Sequence, residues 1–99
     1  MGLFYELSSE ADQDIDEIFD YTVHEFGTDQ AVIYVTAFDN IFEQLLENPE
    51  IGCDRKEIRE GLRSIIKDKH IVFYRVLEDR LRIVRILHGS RDLPKQFSN

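Results

Sequence analysis

No lysine or arginine occurs in the first 50 residues, although 13 aspartates and glutamates do. All 12 basic residues lie between 51 and 99, beside 7 acids, so the two halves carry formal charges of −13 and +5. A split of this kind points to two faces that meet different partners. It weighs against RNA or DNA as the main ligand, because phosphate binding needs a basic footprint and half of this chain would repel a polyanion. Cysteine is nearly absent. The single Cys53 cannot close an internal disulfide, so nothing implies an oxidising compartment. With no basic cluster around it suited to a catalytic dyad, Cys53 reads as a small side chain in a connecting segment. Two prolines and five glycines leave no low-complexity stretch or long linker. No apolar run is long enough to span a bilayer, and the start Met1-Gly2-Leu3-Phe4-Tyr5-Glu6 fits neither a signal peptide nor a myristoylation site. The expectation is one domain over residues 1–99, acting in the cytoplasm without cofactor or metal.

Periodicity supplies the elements. Leu3–Ser8 alternates loosely and predicts a short strand. Ser9 is then a candidate helix cap, with acids at Glu10, Asp12 and Asp14 in the first turn, where the helix dipole favours them. Ala11, Ile15, Ile18, Phe19, Thr22 and Phe26 recur at helical spacing as a buried stripe, and Gly27 ends the helix. Thr28 is expected to cap a second helix whose apolar face is Ala31, Tyr34, Val35, Phe38, Ile41, Phe42, Leu45 and Leu46. Asn48-Pro49 stops it, since the residue before proline disfavours helix. Residues 49–61 are polar and irregular, with a helical turn expected at Arg55–Glu60. Three runs rich in Val, Ile, Phe and Tyr follow, Leu62–Lys67, His70–Leu77 and Arg80–His88, separated by the breaks Asp68-Lys69 and Glu78-Asp79. The order β-α-α-β-β-β predicts an α+β fold of two layers, a helical hairpin packed on an antiparallel sheet of three to four strands, with the far sheet face open for docking.

The chemistry-bearing residues are few. Arg75 and Arg85 interrupt apolar strands, and either contact a partner's carboxylates, form internal ion pairs with the acidic helices, or are simply solvated. Arg63 and Arg91 are further candidates, Arg91 alternatively forming a local bridge with Asp92. His88 could act as a general acid or base, or simply end the last strand. His24 and His70 read as structural, and Tyr74 as packing with a hydroxyl that finds a polar partner. The helix-one acids Asp12, Asp14, Asp16, Glu17 and Asp20 read as a solvated face. Their spacing does not make a calcium loop, and no zinc pattern, phosphate loop or nucleophile elbow is present.

Several strings, in order, resemble the RelE/ParE toxin superfamily and its ParE branch. They are Ser9-Glu10-Ala11-Asp12, Asp16-Glu17-Ile18-Phe19-Asp20-Tyr21, Phe26-Gly27, Asn48-Pro49-Glu50-Ile51-Gly52, Gly61-Leu62-Arg63, His70 with Tyr74-Arg75, and Val84-Arg85-Ile86-Leu87-His88-Gly89-Ser90-Arg91-Asp92. The chain departs from the usual pattern after Gly52, where Cys53-Asp54 precedes Arg55-Lys56. The resemblance implies the toxin of a type II toxin–antitoxin module, a non-enzymatic inhibitor of DNA gyrase that blocks replication. It also implies neutralisation by a ParD-like antitoxin. The alternative is a ribosome-dependent mRNA endonuclease of the RelE type, which shares the fold. Candidate target- or antitoxin-binding residues are Arg63, Arg75, Arg85, His88 and Arg91. The basic second half predicts an acidic antitoxin segment, and no direct contact with nucleic acid or membrane is expected.

Overall fold

The computed structural model describes residues 4–89. Two helices lie on a five-stranded mixed sheet. The elements are β1 (Phe4–Leu7), α1 (Ser9–Phe26), α2 (Thr28–Glu47), β2 (Cys53–Asp54), β3 (Leu62–Lys67), β4 (His70–Val76) and β5 (Arg80–His88). Across the sheet the strands run β1-β5-β4-β3-β2. The three strand-like runs form the antiparallel β3-β4-β5 meander as expected. Two strands add to it. The first strand pairs parallel to β5, Phe4 opposite Arg80 and Leu7 opposite Ile83. The two-residue β2 pairs with the start of β3. The expected helical turn after Asp54 is a set of hydrogen-bonded turns, with Ile58 and Arg59 N–H donating to the Arg55 carbonyl.

One residue joins the helices. Gly27, at φ +92°, ends α1 and begins α2, a backbone conformation that L side chains rarely adopt. Ser8, not Ser9, caps α1: its hydroxyl oxygen accepts from Ala11 N–H at 3.0 Å and its O–H donates to the Val84 carbonyl at 2.7 Å. The cap therefore joins the helix start to the sheet.

The helix-side core takes Ala11 and Ile18 from α1, Phe38, Phe42 and Leu45 from α2, and Val72, Tyr74, Leu81, Ile83 and Ile86 from the sheet. The α2 face follows the sequence pattern closely. The α1 stripe differs at two places. Phe26 is 69% exposed, and Asp14 is buried within the line of Ala11 and Ile18. In β5 the register slips: Phe73 faces Arg85 while Tyr74 faces Ile83, so Val84 has no partner. This bulge lets Ile83 and Ile86, three apart, both reach the helix-side core, which strict alternation would forbid.

The far sheet face carries its own small core rather than lying fully open. Leu62, Phe73 and Leu87 are buried there, with Ile58, Ile71 and Val84 against them, and the Arg55 guanidinium lies 5.6 Å from the Phe73 ring centre. No helix among the described residues is long and apolar enough to cross a membrane.

Candidate docking cleft and the sheet arginines

The bare rim of β5 determines where Asp14 and Arg85 go. β1 covers this rim only as far as Ser8, whose N–H donates to the Ile83 carbonyl at 2.9 Å. Beyond that point a strand would continue; here a helix begins. Asp14, on the second turn of α1, replaces the missing strand by accepting from Ile86 N–H at 2.9 Å. The same carboxylate takes two further bonds, from Arg85 Nε at 2.9 Å and Nη2 at 3.0 Å. These hydrogen bonds hold the Arg85 guanidinium above its ordinary pKa; the charges of Asp14, Glu10 and Glu17 add to the effect and burial opposes it. Of the readings open for Arg85, the internal ion pair is the one found. Asp14 is correspondingly removed from the solvated acidic face.

Arg63 is also engaged internally. Its Nη2 donates to the carbonyls of Glu50 at 3.0 Å and Gly52 at 2.7 Å, tying down the chain that leaves α2. Tyr74 braces the same segment from within. Fully buried, it donates to the Pro49 carbonyl at 2.7 Å and accepts from Gly52 N–H at 3.0 Å. Gly52 is required by this closeness, since a Cβ there would stand 2.5 Å from the Tyr74 hydroxyl and 2.6 Å from the Ser64 carbonyl oxygen.

Arg75 differs. The row Glu6, Arg82, Arg75, Leu62 runs across four strands on the face away from the helices. Two like charges opposite one another are unfavourable. Glu6 relieves this by bonding Arg82 at 2.6 Å and Arg80 at 2.9 Å. Hydrogen bonds from Arg80 first, then Arg82, hold the Glu6 carboxyl below its usual range. Among the described residues no carboxylate pairs with Arg75. Arg91 lies outside the described residues, as does its bridge to Asp92.

His88 ends β5, exposed, with its ring 5.5 Å from that of His70. His70 Nδ1 lies 2.7 Å from the Tyr34 hydroxyl, and Lys67 Nζ stands 5.4 Å from the Tyr34 ring centre. Burial, then the charge of Asp68, pushes the Tyr34 phenol up, so it keeps its proton at neutral pH. His24 is exposed beside Glu25 at the end of α1. Among the described residues, no three histidine, cysteine or carboxylate side chains gather as a metal site.

His70, His88 and Tyr34 line one side of a cleft of about 990 Å³. Ile18, Tyr21 and Phe26 of α1 line the other, with Ile86 at its base. Tyr21 and Phe26 are 65% and 69% exposed, large apolar surfaces facing solvent at the mouth of a groove. Tyr34 was legible only as core, Phe26 read as part of the buried α1 stripe, and Tyr21 carried no signal of its own beyond its place in a family-like string.

A helical hairpin on a mixed sheet, with Arg85 and Arg63 engaged internally and a cleft lined by Ile18, Tyr21, Phe26 and Tyr34, defines a small two-layer α+β protein. A sequence model for the ParE toxin of the type II toxin–antitoxin system parDE matches residues 5–93. Toxin ParE1 of Mycobacterium tuberculosis is 36% identical over 98 residues, 98% of this chain and 100% of that protein. Toxin ParE1 of Caulobacter vibrioides is 36% identical over 86 residues, 87% of this chain and 88% of that protein. A chain from the solved chromosomal ParDE TA system of P. aeruginosa shares the fold, with a TM-score of 0.76 at 22% identity, covering 87% of this chain and 95% of its own. The protein belongs to the ParE toxin family of type II toxin–antitoxin systems.

Proposed function

We propose that this chain poisons DNA gyrase by binding it, as the toxic half of a type II module, and that a ParD-like antitoxin silences it by occupying the cleft between the helices and the sheet. Both partners are intracellular, so the site of action is the cytoplasm. The observation that carries the binder reading is the engagement of the sheet arginines. A ribonuclease must hold a phosphate with cations beside its general acid and base. Here Arg85 is locked to Asp14, Arg63 to two backbone carbonyls, and Arg80 and Arg82 to Glu6. Arg75 on the far face is the candidate for a contact with the target's carboxylates.

Purified chain incubated with gyrase and relaxed or supercoiled plasmid tests the reading. The expected result is inhibited supercoiling with cleaved DNA trapped, relieved by the antitoxin. Unimpaired gyrase would refute it, and message cleavage on ribosomes that His88→Ala abolishes would establish the endonuclease instead.

A further inference from the structure

The arrangement of charge reverses what composition implies about the cleft's occupant. The second half of the chain is basic by count, which predicts an acidic partner segment. Yet Arg55, Lys67, Arg80, Arg82 and Arg85 are paired with carboxylates inside the chain, and the helical layer carries a large excess of negative charge. Residues 9–47 hold 11 carboxylates and no lysine or arginine. Among the described residues, Asp14–Arg85 is the one ion pair that joins either helix to an arginine or lysine. The turn on the opposite wall is close to balanced, with Asp68 paired to Lys67 and followed by Lys69.

The acids also stand where an occupant would meet them. Tyr21 is exposed at the cleft mouth, and Glu17 and Glu25 lie four residues to either side of it, on the same face of α1. Glu17 itself lines the cleft. An apolar groove with carboxylates along one rim suits an amphipathic segment that puts apolar side chains between Tyr21, Phe26 and Tyr34 and lysine or arginine against α1. A membrane surface or nucleic acid, both anionic, would be repelled by the same rim.

We propose that the cleft selects an amphipathic protein segment bearing lysine or arginine along the flank that faces α1. This rests on the reading that an antitoxin occupies the cleft, and it names the chemistry of the antitoxin segment that docks there.

The test uses the full chain and two synthetic peptides with the same leucine stripe, one flanked by lysines and the other by glutamates, with affinity read by fluorescence anisotropy. The lysine peptide is expected to bind at least tenfold more tightly at low salt, with the gap closing as salt rises. Joint replacement Tyr21→Ser and Phe26→Ser should remove binding of the lysine peptide while leaving Tm unchanged, because both side chains are mostly exposed. Joint replacement Glu17→Gln and Glu25→Gln should narrow the gap between the peptides. Equal affinities, a preference for glutamate, no binding by either peptide, or binding indifferent to the aromatic replacements would each overturn the proposal. The toxin–antitoxin reading stands or falls separately, on growth arrest by induced expression and its relief by the antitoxin. That relief could hold while the peptide order fails.

Discussion

Replacing Asp14 with asparagine keeps the side chain's shape and removes its charge. The amide oxygen can still accept from Ile86 N–H, so the edge of β5 stays satisfied. What is lost is the partner of a guanidinium whose side chain is 21% exposed, against 9% for Asp14. Removing one member of a fully buried pair costs about 3–5 kcal/mol, because the other charge is stranded. Partial access of Arg85 to water lowers this, and about 2–3 kcal/mol is expected. For a domain of this size that is a fall in Tm on the order of 10 °C. Arg85→Met should cost less, and the double replacement should recover most of the loss of Asp14→Asn, since no unpaired charge remains. Urea unfolding of the four proteins, followed by circular dichroism, gives the coupling directly. A coupling near 2 kcal/mol is expected. A value below about 0.5 kcal/mol would refute the claim that this pair fastens α1 to β5.

Other outcomes follow from the same geometry. Ser8→Ala removes both the α1 cap and the bond to Val84, and should lower stability by about 1–2 kcal/mol in urea unfolding. Tyr74→Phe strands the Gly52 N–H and Pro49 carbonyl and should cost about 2 kcal/mol, while Gly52→Ala should be at least as damaging because its Cβ collides with backbone as well as hydroxyl. Glu6 has its folded pKa lowered by Arg80 and Arg82. Its contribution is therefore present above the ordinary glutamate pKa and lost as pH falls through the lowered folded value. Glu6→Gln should flatten the acid limb of stability against pH in that window and leave the neutral region's slope unchanged.

The helices were legible from their 3.6-residue period, and the β3-β4-β5 meander from runs dense in Val, Ile, Phe and Tyr between short polar breaks. Strand β1 was legible as a strand but not in its pairing: its parallel partner lies more than 70 residues away, and no local signal encodes such a distance. Strand β2, Cys53–Asp54, is too short to show a period. Ser8 and Ser9 are equally good caps by type; the bond to Val84 decides between them. The bulge at Val84 breaks alternation without glycine, so β5 read as an ordinary strand. At the candidate site, the arginines were recognised as functional or internal, but nothing in the sequence told Asp14 apart from its acidic neighbours. Only the bare edge of β5 singles it out.

The pairing of β1 with β5 has a consequence for synthesis. A ribosome delivers the acidic helices long before the strand that completes their support, so the hairpin emerges with its greasy stripe uncovered. Closure waits until the stretch ending at His88 has cleared the exit tunnel, a late and long-range event of the kind that slows folding. A polypeptide released early would lack both the edge that Asp14 seals and the floor beneath the cleft. It would be food for proteases rather than a working poison, so toxicity should arrive only with the last strand.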